Sequence, residues 1–214
     1  MSSLHSPKQN LILAALSAED YARLLPNLQL IAMPLGMVLR KSGKTMQHVY
    51  FPTTSIVSRV YVMLSGKTAE IAIAGHEGLI GISLFTGTKS ASSLAVVQSA
   101  GYGYRIEASI LRKEFALGGH FQLLPLRYTH ALIAQIAQTA ACNRHHKVEQ
   151  QLCRWLLMSL DRLTSNRLEM TQELIANMLG VPREGVNEAA STQQEVGVVD
   201  YSHGHIIVID RAKL

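Results

Sequence analysis

Cysteine is nearly absent, with Cys142 and Cys153 the only two in 214 residues. Two thiols make no disulfide framework. Nor can they alone hold an iron–sulfur cluster, which takes four ligands. Long apolar runs are missing too. No stretch approaches the roughly 18 unbroken apolar residues of a membrane span. The opening Met1 to Lys8 has no basic segment followed by an apolar run, so no signal peptide is expected. The expectation is a soluble, cytoplasmic protein with no membrane partner. Catalytic signatures are also lacking. There is no Gly-x-Ser-x-Gly elbow, phosphate loop, His-Glu-x-x-His or dinucleotide fingerprint. Gly101-Tyr-Gly-Tyr lacks the following glycine and helix that a nucleotide loop needs. An enzyme is therefore not expected.

What is present describes an ordered globular chain. Hydrophobic residues make up 48% and mean hydropathy is +0.14, which disfavours disorder. The length suggests one or two domains. Net charge is +5, mildly favouring an anionic partner. The charge is unevenly placed. Residues 1–143 hold 12 Lys and Arg against 6 Asp and Glu, whereas residues 144–214 hold 8 against 9.

Residues 9–25 carry Leu11, Leu13, Leu16, Tyr21 and Leu24, and Ser17 precedes Asp20 by three as a helix cap does. One or two short helices follow, ended by Pro26. Residues 28–110 change character. Val, Ile, Thr and Tyr cluster in short runs between Gly, Ser and Pro, a strand-and-turn composition. Val57 to Val62 and Thr68 to Ala74 flank Ser65-Gly66 as a hairpin. Leu94 to Gln98 and Tyr102 to Ile106 read as another strand pair around Gly101. Several short strands with glycine turns suggest a sandwich or small barrel.

From about Ser109 the period becomes helical. Leu132, Ile133, Ile136, Ala137 and Ala140 form one broad stripe on a long helix. Such a stripe either covers the β domain or pairs with its twin in a dimer; we expect both, on different faces. Arg144 to Leu163 reads as another helix, with Val148, Leu152, Trp155, Leu156 and Leu160 inward.

Residues 171–190 then read as two helices around a tight turn. Thr171 suits an N-cap. Leu174, Ile175, Met178 and Leu179 make a buried face, and Gly180 fits a left-handed exit from the helix. Pro182 pre-sets the next helix start, and Val186 and Ala190 face inward. This layout exposes Arg183, Glu184, Asn187 and Glu188. In a helix-turn-helix those positions face base edges in the major groove. Arginine can bind guanine and glutamate the cytosine amino group. Gly197 to Asp210 adds two apolar strands around Ser202-His203-Gly204, a β-wing. Thr171, Gln172, Pro182 and His203 join the candidate DNA-binding set.

The whole chain resembles the Crp/Fnr family of regulators, most closely over Thr171 to Asp210, with Gly180, Arg183, Glu184 and Val186 in family-like places. Gly78, Gly81 and Phe85 carry the looser N-terminal match. The resemblance implies an α+β fold: an N-terminal β-roll sensor domain of jelly-roll, cyclic-nucleotide-binding-like form over residues 1–117. A dimerisation helix over 118–143 and a C-terminal winged helix-turn-helix over 144–214 complete it. It implies a homodimer on double-stranded DNA with a palindromic site, a small-molecule effector, and RNA polymerase as a further partner. Three residues depart from the pattern. Glu188 stands where many relatives carry a basic residue, and Pro182 and Gly185 replace usual hydroxyl residues.

Members that bind a cyclic nucleotide use a glutamate for the ribose and an arginine for the phosphate. Here the first place falls in Gly81-Ile82-Ser83 and the second near Ala91-Ser92, with no arginine between Arg59 and Arg105. A buried phosphate needs such a cation or clustered amides. Tight cyclic-nucleotide binding is not expected. His48, His76, His120 and His130 match haem ligands by type alone. Cys142, His145, His146 and Cys153 form a cluster of zinc-ligand types. No cofactor or metal is assigned to either set. A second class of function stays open: a β-roll ligand-binding or protein-interaction module with weak or no DNA binding.

Overall fold

The computed structural model describes residues 5–87, 93–202 and 204–214. The N-terminal helices form where the caps predict them. Asn10 accepts from the amides of Ile12 and Leu13 at the start of α1 (Leu11–Ala14). Its Nδ2 donates to the carbonyls of Pro52 and Gly78. Asn10 is fully buried, so its polar atoms are satisfied by backbone rather than water. Ser17 accepts from the Asp20 amide and opens α2 (Ala18–Leu24). Pro26 sits inside a 3₁₀ turn, Leu25–Asn27, that continues this helix before the chain extends.

Two antiparallel sheets follow. One has the order β1 (Gln29–Met33), β7 (Gly101–Glu107), β3 (His48–Pro52). The other has the order β2 (Val38–Arg40), β6 (Leu94–Ser99), β4 (Ile56–Val62), β5 (Thr68–Ala74). Met33 and Tyr50 of the first meet Val57, Ala74, Ala95 and Val97 of the second in one buried cluster. The expected β4–β5 hairpin is present, with Val57 opposite Ala74 and Val62 opposite Thr68.

The expected pairing of Leu94–Gln98 with Tyr102–Ile106 is not what forms. β6 pairs with β2 and β4, while β7 pairs with β1 and β3. The corner between them changes sheets. At Gly101 a Cβ would lie 2.6 Å from the Thr54 backbone. Only glycine lets the chain cross that closely.

The helical part begins with α3 (Ala108–Ala116) and α4 (Gly119–His145). α4 outruns the expected end at residue 143. It stops at His146, whose extended backbone (ψ 148°) breaks the helix before α5 (Val148–Leu160). Arg144 and His145 therefore close α4 rather than open α5. The five stripe residues of α4 separate by face. Leu132 is buried in the β-domain core and Ile136 packs against it. Ile133, Ala137 and Ala140 are exposed. With Leu123, Leu126 and His130 they recur at alternating spacings of three and four along one exposed line. That is the spacing of a heptad repeat.

The C-terminal domain adds β8 (Arg167–Glu169), α6 (Gln172–Leu179), α7 (Arg183–Glu195), β9 (Val199–Ser202) and β10 (His205–Val208). β10 lies between β8 and β9, a third wing strand absent from the expectation. Among the described residues, no helix is long and apolar enough to cross a membrane.

This domain leans on the outer face of the β2–β6–β4–β5 sheet. Val60 of β4 joins its core cluster. Gln98 Nε2 donates to Ser159 Oγ at 3.1 Å, and Thr68 Oγ1 donates to the Asn177 carbonyl at 3.0 Å. Trp155 Nε1 donates to Glu70 Oε1 at 3.0 Å, and Arg162 pairs with Glu77 at 2.8 Å.

Candidate nucleic-acid interface

The helix pair is held from within by local rules. Thr171 accepts from the Leu174 amide and caps α6. Gly180 ends it at φ 70°, ψ 30°, a conformation that costs other residues roughly 1–2 kcal/mol. Its Cα also faces Ala69 of β5, which an added Cβ would approach to 3.2 Å. Pro182, at φ −60°, is the residue before α7. Ile175, Ala176, Met178 and Leu179 of α6 meet Val186, Ala189 and Ala190 of α7 in the domain core.

Burying that face fixes what the other presents. Arg183, Glu184, Asn187 and Glu188 are all exposed, and lie one turn apart in pairs along α7. Gln172 Nε2 donates to Asn187 Oδ1 at 2.8 Å, tying the start of α6 to the middle of this surface. Thr171 and Pro182 are exposed beside it. The wing is pinned near the same place, where the Met170 amide donates to the Gly204 carbonyl at 2.7 Å. His203 lies outside the described residues. The structure thus gathers Thr171, Gln172, Pro182, Arg183, Glu184, Asn187 and Glu188 on one side of the domain.

The electrostatics of this surface are acidic. α7 carries one arginine against Glu184, Glu188 and Glu195, and Glu184 and Glu188 repel at i,i+4. Tyr201 of the wing has its phenol raised by burial, with Arg183 pulling it the other way.

The second candidate region is packed. Gly81 has φ 137°, and a Cβ there would lie 2.8 Å from Val49. Ile82 is buried with Val49, Phe85 and Leu132, and Ser83 is half-buried beside it. Ala91 and Ser92 lie outside the described residues. Cys142 is buried, its Sγ accepting from Gln138 Nε2 at 3.2 Å, and Cys153 is half-buried. Among the described residues, no group of three or more His, Cys, Asp or Glu is placed to hold a metal ion. Sequence reasoning missed Glu70, Glu77 and Arg162 as polar residues joining the two domains. Lone charges in unrelated segments give no local signal of that.

Residues 150–214 match the model of the Crp-like helix-turn-helix domain. No curated protein matches the chain. Among solved structures, the chain is similar to the global regulator CLP of Xanthomonas campestris, described as c-di-GMP responsive. The identity is 13% and the TM-score 0.71, over 90% of this chain and 99% of that one. A putative transcriptional regulator of the Crp/Fnr family from Eubacterium rectale gives 16% and 0.69, over 96% of each chain. FixK2 from Bradyrhizobium japonicum gives 15% and 0.69, over 87% of this chain and 94% of that one. The C-terminal segment thus matches the Crp-like helix-turn-helix domain, and the chain as a whole has the α+β fold of the Crp/Fnr regulators.

Proposed function

We propose that the protein is a cytoplasmic, DNA-binding transcription regulator of the Crp/Fnr type, with no enzymatic activity. It acts as a homodimer on a palindromic operator. One observation carries this reading: α7 buries Val186, Ala189 and Ala190 and holds Arg183, Glu184, Asn187 and Glu188 outward beside the wing. That is the arrangement by which a recognition helix enters a major groove. The exposed line from Leu123 to Ala140 supports pairing through α4. Two recognition helices then face successive grooves about 34 Å apart. As a regulator of transcription it would work alongside RNA polymerase.

Among the described residues, the apolar packing around Gly81 and Ile82 supports a sensor without a cyclic-nucleotide site, as does the sequence, which has no arginine between Arg59 and Arg105 to meet a phosphate. Fragment selection by the purified protein at low salt, followed by sequencing, tests the reading. A recovered palindromic motif is expected. Recovery of no preferred fragment overturns it in favour of a β-roll protein-interaction module, to which the acidic α7 is suited.

A further inference from the structure

A cavity of about 410 Å³ opens between α1, β5, the loop carrying Glu77, and α4, with Arg162 on one wall. Its apolar part comes from Leu11, Ile12, Ile73, Leu124 and Leu132. Its polar part is cationic. Arg162 is balanced by Glu77 at 2.8 Å. Arg127 lines the cavity and is exposed, and among the described residues no hydrogen bond or ion pair engages it. Gln135 Oε1 accepts from the Ile73 amide at 2.9 Å, which leaves the Gln135 NH₂ to donate into the space.

An unbalanced guanidinium beside an apolar lining selects an anion with an apolar body. The guanidinium offers paired N–H donors that match a carboxylate, and the hydrocarbon walls take the rest. At about 30 Å³ per water-sized group, the space holds roughly a dozen heavy atoms. Helix phase keeps it open. Leu124 and Ala131, which line it, stand about 160° around α4 from Leu126 and Ile133 of the exposed seam. Pairing of two copies through that seam leaves the cavity accessible.

We propose that this cavity binds a small amphipathic monoanion, its carboxylate on Arg127 and its hydrocarbon between α1 and α4. The walls come from both domains, since Arg162 follows α5 while Glu77 follows β5. A bound anion touches the ion pair joining them. Occupancy is thereby linked to the domain junction. This names an effector class for the proposed regulator, but the binding itself does not depend on the DNA reading.

Titration calorimetry on the full chain tests it, with sodium octanoate as probe and 1-octanol as its uncharged counterpart. Octanoate should bind one per protomer, and octanol about tenfold more weakly or worse. Arg127→Gln should lose about tenfold for octanoate and leave octanol unchanged. Ala131→Phe fills the space and should abolish both. Arg127 is exposed, so its variant keeps the fold, which a melting curve verifies. Absent octanoate binding, equal affinity for the two probes, or unchanged octanoate affinity in Arg127→Gln overturns the proposal. Retained octanoate binding with no DNA complex counts against the DNA reading alone.

Discussion

Trp155 of α5 donates its indole N–H to Glu70 of β5 at 3.0 Å, across the junction of the two domains. Glu70 is buried, and burial pushes its carboxyl up to about 8. An acid whose folded pKa lies above its ordinary value of 4.5 binds more protons folded than unfolded in the interval between. Stability therefore falls as pH rises from about 4.5 to about 8. The loss from this one group is on the order of a few kcal/mol. Melting temperature measured against pH should show that decline. Glu70→Gln should flatten it and raise the melting temperature at pH 8. Trp155 is the sole tryptophan, so its emission in the folded, unmodified protein should also shift around pH 8, where Glu70 ionises, and should not do so in Glu70→Gln. An identical pH profile in both proteins would remove this role from Glu70.

Arg183→Ala should weaken binding to the selected operator by about 1–3 kcal/mol and relax the preference at one base pair. It should leave the melting temperature unchanged, because Arg183 is exposed and outside the domain core. Gel retardation on matched and mismatched sites measures both effects. Unchanged affinity would take the base-reading role away from this residue.

Adjacent residues on α4 should behave in opposite ways. Ile133 is 60% exposed, whereas Leu132 is 5% exposed in the β-domain core. Ile133→Glu should give a folded monomer, because a charge enters the seam while the protomer core stays intact. Leu132→Ala should keep the dimer and cost about 2–5 kcal/mol in stability. Sedimentation velocity and denaturant unfolding separate the two. A dimeric Ile133→Glu protein would place the interface elsewhere.

Gly180→Ala should destabilise the chain by about 1–2 kcal/mol through its left-handed backbone. The new methyl, 3.2 Å from Ala69, should also loosen the contact with β5. Pairing it with Ala69→Gly should recover the contact but not the backbone cost. Thermal unfolding of the single and double variants distinguishes the two parts. Full recovery in the double variant would show that crowding alone was at work.

The helix-turn-helix was legible because its rules are local. Thr171, Gly180 and Pro182 each answer to a backbone need within a few residues, and the structure meets each need there. The β4–β5 hairpin was legible for the same reason. The partners of β6 and β7 were not, since strand choice is settled by contacts across the chain rather than by alternation. β8 spans three residues, too short for a period to show. The stripe on α4 announced two faces without saying which was core, because Leu132 and Ile133 are equally apolar. The cavity is assembled from segments such as Glu77 and Arg162, 85 positions apart, and leaves no pattern in the sequence.

The contact of Gly180 with Ala69, and of Asn177 with Thr68, has a mechanical result. The turn that aims α7 rests on a stiff β hairpin instead of hanging from a flexible tether. In a dimer, the separation and twist of the two reading heads are then set by the sensor bodies. Inserting one base pair between half-sites rotates one of them by about 34°, and a rigidly mounted pair cannot follow. The proposed dimer should therefore tolerate base changes within a half-site better than any change in the spacing between them.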